Sequence, residues 1–256
     1  EIVDNKYIRF SHPSYSQSLK HILVEEGGYI SQINKKIFSN LLLKLAEKDK
    51  AVRAVAMTVE YNFDKLPEEV RNELLLKLSE KEEVAWDVAG VVGDNFKKIP
   101  EEMRNELLLK LSENEKTTGI VAQTVAYNFD RIPKEVRNEL LLKLAEKEGA
   151  ARIVTMIVRE NFKKIPEEVR NELLLKLAEK EEVARIVAWV VADNFNNLPK
   201  EVRDLLFKLA EKKETAGGVA WVVAYIDDLP EEVRNELLLK LSEHKYPQNE
   251  RAARIV

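Results

Sequence analysis

The chain has 256 residues, long enough to bury a core without staples, and its 45% hydrophobic beside 34% charged residues exclude wholesale disorder. It has no Cys, which excludes disulfides, thiolate metal sites and a cysteine nucleophile. Lys and Arg number 41 against 45 Asp and Glu, a net charge of −4 that advertises neither nucleic acid nor an anionic membrane, and no apolar run nears the ~18–20 residues of a transmembrane helix. A soluble, cytoplasmic protein with no membrane contact is expected. Residues 1–32 stand apart from the rest. An extended segment at Tyr7–Phe10 stops at His12-Pro13, and a helix is predicted from Ser14 to about Glu25, broken by Gly27-Gly28.

The stretch Ile8, Phe10, His12, Pro13, Ser14 and Tyr15 resembles the end of the winged-helix segment of STAND-type NTPases, signalling ATPases in which such a stretch precedes helical repeats. The resemblance implies a nucleotide-binding core before Glu1, repeats that bind the trigger, and nucleotide contact only through that absent part. No Walker-type loop occurs in this chain, so it is expected not to hydrolyse nucleotide, and a non-enzymatic chain without a cofactor is expected.

Residues 33–256 are dominated by self-similarity. The string Ile/Leu-Pro-Glu/Lys-Glu-Val/Met-Arg-Asn-Glu-Leu-Leu-Leu-Lys-Leu recurs; Pro67, Pro100, Pro133, Pro166 and Pro199 are spaced by 33 residues and Pro230 follows after 31. The short step comes from two single deletions, one at Arg203-Asp204-Leu205 and one at Tyr225-Ile226-Asp227. A degenerate earlier copy stands at Asn40 to Leu45. Each of about seven units predicts two helices. Helix A opens with Pro at its first position and acidic residues facing the positive helix end, as in Pro67-Glu68-Glu69. Its stripe is Val70, Leu74, Leu75 and Leu78, with Arg71, Asn72, Glu73 and Lys77 outside it as a solvated face. Helix B, as in Val183 to Phe195, is rich in Val and Ala but too long and too non-alternating for a strand. A turn at Asn194 to Leu198 leads to the next Pro.

The units resemble HEAT or armadillo repeats in a short form. The expected fold is an all-α, α-α superhelix: a HEAT-like solenoid with a period of ~33 residues. The final Ala252-Ala253-Arg254-Ile255-Val256 copies a helix B start, so a truncated last unit in a piece of a longer protein is expected.

Laying the repeats over one another separates constant from varied positions. The columns Val55, Val88, Val121, Val154, Val187, Val219 and Val59, Val92, Val125, Val158, Val191, Val223 are core. A varied column holds Arg53, Trp86, Gly119, Arg152, Arg185 and Gly217, and four residues on come Met57, Gly90, Gln123, Met156, Trp189 and Trp221. Three to four further stand Glu60/Tyr61, Gly93/Asp94, Ala126/Tyr127, Arg159/Glu160, Ala192/Asp193 and Ala224/Tyr225. The i, i+4, i+7 spacing puts them on one helix face. In stacked repeats the second helices usually line the concave side, so a protein or peptide ligand is expected there. The candidate contact residues are Arg53, Met57, Tyr61, Trp86, Gln123, Tyr127, Arg152, Met156, Arg185, Trp189, Trp221 and Tyr225. The competing reading has the aromatics filling gaps between neighbouring helix B elements or meeting the protein's own terminal parts. Helix-interior Gly at 90, 93, 119, 217 and 218 points to close approach of something, because each costs ~1 kcal/mol relative to Ala.

Chemistry is otherwise sparse. His12, His21 and His244 form no metal pattern, no catalytic arrangement stands out, and acidic pairs such as Glu68-Glu69 serve helix starts. Nucleic acid is a rival partner through Arg53, Arg152, Arg159, Arg185 and Arg254, but the acidic total and Glu60, Asp87, Asp94, Glu160 and Asp193 on the same face weigh against it. A free-standing scaffold and a consensus-like array are the other readings. Glu and Lys richness without Cys points weakly to a thermophile.

Overall fold

The computed structural model describes residues 2–3, 7–8, 35–226 and 229–244. The helix expected from Ser14, the glycine break after it, His12, His21 and the helix B copy at Ala252 to Val256 lie outside the described residues. Of the extended segment, Tyr7–Ile8 forms strand β2, antiparallel to β1 (Ile2–Val3) in the register Ile2 to Ile8 and Val3 to Tyr7.

The rest is helical. The chain divides into two compact units, residues 1–124 and 125–256. The first holds α1 (Lys35–Ala46), α2 (Val52–Tyr61), α3 (Glu68–Ser79), α4 (Ala85–Asp94) and α5 (Glu101–Leu111), and ends within α6 (Thr118–Tyr127). The second continues with α7 (Lys134–Ala145), α8 (Glu148–Glu160), α9 (Glu167–Ala178), α10 (Glu181–Asp193), α11 (Lys200–Arg203), α12 (Leu205–Glu211), α13 (Lys213–Tyr225) and α14 (Glu231–Ser242). Within each unit helix A packs on the next helix A, and helix B on the next helix B. In the first unit α1, α3 and α5 form one layer, with α2 and α4 the other; in the second α7, α9, α12 and α14 face α8, α10 and α13. This is an all-α helical-repeat solenoid, and no described helix is long and apolar enough to cross a membrane.

Both valine columns of helix B are buried, as are Leu74, Leu75, Leu78 and their copies Leu107, Leu108, Leu111 and Leu140, Leu141, Leu144. Val70 is half-buried at the rim. Helix A starts one residue later than expected. Pro67 is the N-cap, with φ −56° and ψ 140°, and its carbonyl accepts the Arg71 N–H at 3.0 Å. The ring fixes φ and pushes the preceding residue into extended backbone, so Ile99 before Pro100 has ψ 133° and the chain makes a sharp entry.

The expectation of a solvated Arg71 is corrected. Arg71, Arg137 and Arg170 are buried, each guanidinium over the Phe ring that closes the preceding helix B: Phe63 at 4.3 Å, Phe129 at 4.0 Å and Phe162 at 4.1 Å. Arg104 and Arg203 do the same over Phe96 and Phe195, at 4.5 and 5.3 Å. Arg137 also donates to the Phe129 carbonyl at 2.9 Å. An apolar ring offers the guanidinium an attractive face while the backbone carbonyl satisfies an N–H, so the charge can leave water. Burial pushes the Arg137 and Arg170 guanidiniums down from their ordinary value, yet arginine stays charged. In the same turn Asn62, Asn95, Asn161 and Asn194 each donate from Nδ2 to the carbonyl four residues back, satisfying the end of helix B.

Exposed ion pairs link successive copies of helix A: Lys77 to Glu47 (3.4 Å), Lys110 to Glu80 (2.8 Å), Lys176 to Glu146 (2.9 Å) and Lys240 to Glu211 (2.5 Å). Turns are linked likewise, Lys98 to Asp64 and Lys164 to Asp130, both at 2.7 Å. Hydrogen bonds from the lysines hold Glu80, Glu146 and Glu211 below the usual carboxylate range. His244 donates from Nε2 to the Ala210 carbonyl at 2.6 Å, as Lys180 does to Glu146 in an earlier copy at 3.1 Å. Both place a basic group at the negative end of a helix A.

The deletion near Asp204 breaks helix A into α11 and α12. Each residue turns a helix by ~100°, so one missing residue in a continuous helix would rotate every later side chain off its face. The break instead keeps Val202 on one side and Leu205, Leu206 and Leu209 on the other all buried. At the second deletion Ile226 stands in extended backbone and is buried where other copies carry Phe, and Arg234 donates to the Val223 and Ile226 carbonyls.

Arg170→Ala is expected to lower stability by about 2 kcal/mol, through loss of the ring contact and the charge-assisted hydrogen bond. Urea unfolding measures this, and a change within ~0.5 kcal/mol would make the stack passive. A second outcome concerns acid. A carboxyl whose folded pKa is depressed contributes stability that is present above its unfolded value and is lost as pH falls through the folded one. The melting midpoint should therefore fall below about pH 4.5. It should fall less steeply in Lys176→Gln with Lys240→Gln, where Glu146 and Glu211 lose their partners.

Candidate functional site

All twelve sequence-derived contact residues lie outside the buried core. In the first unit Arg53, Tyr61, Trp86 and Gln123 are exposed and Met57 is half-buried. Trp86 is 60% exposed. In the second unit Tyr127, Arg152, Met156, Arg185, Trp221 and Tyr225 are exposed and Trp189 is half-buried. The tryptophans are therefore neither fully buried nor uniformly free.

The structure brings three of the twelve together. Arg185 and Trp189 of α10 and Trp221 of α13 line one cleft of about 230 Å³ with Arg159 of α8 and Ile186 of α10. The Arg159 guanidinium stands over the Trp189 ring at 5.7 Å. Trp221 stacks on Tyr225, one turn on, with ring centroids 4.9 Å apart and planes 13° from parallel. Arg152 and Met156 lie on the same helix as Arg159 but do not line the cleft, and neither does Tyr127.

The local sequence explains the placement. Val187, Val191, Val219 and Val223 are fully or almost fully buried and anchor the inner face of α10 and α13. Trp189 and Trp221, each two residues beyond a core valine, are turned away from that face at 100° per residue. Arg159 and Ile186 are absent from the sequence-derived set. Arg159 was visible as a varied position seven residues after Arg152. Ile186 gave no signal, because a lone isoleucine beside a valine column reads as more core.

The glycines separate into two kinds. A Cβ at Gly218 would meet Arg185 Cβ at 2.9 Å and Arg185 Cα at 3.0 Å, so α13 needs Gly there to lie against α10. A Cβ at Gly93 would meet Thr124 Oγ1 at 2.9 Å. Gly90 and Gly217 would meet nothing within 4 Å. The protein's own described packing explains the first pair and leaves the second pair open.

Among the described residues no group of three or more His, Asp or Glu could hold a metal ion. His244 is occupied by a helix-end carbonyl. No family model, curated protein or solved structure matches this chain.

Gly90→Ala is expected to raise stability by about 0.5–1 kcal/mol, the ordinary gain of replacing a helix-interior glycine in open space. Gly218→Ala is expected to lower it, because the clash falls on the Arg185 backbone. Chemical denaturation of both variants decides; equal changes would mean that the two positions do not differ.

Proposed function

We propose that this chain is a non-enzymatic recognition module that binds a protein or peptide ligand on its helix B face, with the second unit's cleft as the anchor. The observation that carries this reading is the cleft itself: two tryptophans and two arginines, the residue types that dominate binding hot spots, meet at a part-open surface built on a rigid valine core. On helix A, lysines such as Lys110 and Lys176 are instead tied to glutamates of the preceding copy.

In this reading the module is the sensor arm of a larger STAND-like ATPase, with Ile8, Phe10, His12, Pro13, Ser14 and Tyr15 as the joint to the nucleotide-binding part. That finer assignment rests on sequence resemblance alone. An in-frame Gly-x-x-x-x-Gly-Lys-Ser/Thr loop upstream in the coding DNA supports it, and a start codon within a few residues of Glu1 leaves a free-standing scaffold.

The recognition reading is tested with binders selected from a displayed random-peptide library against the whole chain. Trp189→Ala with Trp221→Ala is expected to weaken the selected peptides at least tenfold while leaving helical content nearly unchanged. Loss of cooperative melting in that double variant would show that the tryptophans are core and end the proposal.

A further inference from the structure

The arginines of the cleft differ in their partners from the ion-paired lysines of helix A and from the buried arginines of the turns. Along helix A, lysines meet carboxylates of the preceding copy, and the buried arginines meet a ring and often a carbonyl. On the helix B face of the second unit, Arg152, Arg159 and Arg185 form no ion pair or hydrogen bond with any described residue, and Arg159 has only the Trp189 ring. Exposed carboxylates stand on the same helices, Glu160 beside Arg159 and Asp193 on α10, yet neither is bonded to these arginines.

The geometry points to an acidic peptide segment as the ligand of this cleft: an Asp or Glu carboxylate held between Arg159 and Arg185, with a neighbouring large apolar side chain against Trp189, Ile186 and Trp221. This deepens the recognition reading and rests on it. A guanidinium presents a planar fork that matches a carboxylate, and at the rim of this cleft the forks of Arg159 and Arg185 are paired with no described carboxylate. The volume of about 230 Å³ is below the ~300–1,000 Å³ of a small-molecule site and suits one or two side chains.

Gly217 fits the same picture. It lies four residues before Trp221 and eight before Tyr225, on one face of α13, and a Cβ there would meet nothing. The bare helix surface lets a ligand backbone approach beside the indole. The flanking Glu160 and Asp193 oppose a continuous polyanion, so a short acidic segment fits better than a nucleic acid strand.

The test uses the library-selected peptides and the full chain at about 0.1 M salt, where screening leaves contact pairs intact. Enrichment of Asp or Glu beside an aromatic or aliphatic residue is expected. Fluorescently labelled winners should bind Arg159→Gln with Arg185→Gln at least tenfold more weakly, and peptides with Asn or Gln replacing the acid should lose affinity for the parent but not for that variant. Circular dichroism and melting of the variant should match the parent.

Winners without acidic enrichment, or equal affinity for parent and arginine variant, would overturn the ligand chemistry. If those winners still fail on Trp189→Ala with Trp221→Ala, the recognition face itself survives. If no peptide is selected, or none responds to the tryptophan variant, both readings fall together. Tighter binding of a labelled oligothymidylate than of any acidic peptide, with a steep salt dependence, replaces the peptide with single-stranded nucleic acid.

Discussion

The stack of arginine on phenylalanine, found in five copies, ties a helix B to the helix A that follows it. Phe63, Phe129 and Phe162 close one helix B, and the arginine that covers each ring belongs to the helix A that follows eight residues later. The contact therefore clamps the tight Asn-Phe to Pro turn and fixes the angle at which helix A leaves helix B. Everything else in a repeat, from the leucine triplet to the valine columns, relies on that angle to find its neighbours. Because helix packing is close and side chains meet in definite rotamers, a small error in one turn would be felt in the next layer.

Much of this was legible in the sequence. The period, the two helices per unit, the late turn and both valine columns follow from spacing alone, since burial imposes a 3.6-residue rhythm on each helix. Arg71 was not legible. Periodicity treats a charged residue as solvated, and its partner Phe63 lies across a turn whose geometry no helical wheel contains. The deletion beside Asp204 was readable, but not its consequence: a continuous helix with a rotated face and a broken helix with a kept face have the same sequence.

The cleft was half legible. Variation among copies singled out Arg185, Trp189 and Trp221, because positions not committed to the core are free to differ. It also singled out Arg53, Met57, Tyr61 and Trp86, which carry the same residue types and are not among the residues that line this cleft. Residue type marks a face; only the neighbouring helix decides whether that face has depth. The glycines make the same point, with one letter standing for a forced contact at Gly218 and for open space at Gly90.

The break between Arg203 and Leu205 has a further consequence. It absorbs a change in chain length inside a single unit, so the phase of the array is restored before the next unit begins. Copies built this way behave as interchangeable parts: a unit can lose a residue and still seat its neighbours. The outward residues of each copy are then free to drift independently, so that an array of nearly identical struts shows a different surface on every rung.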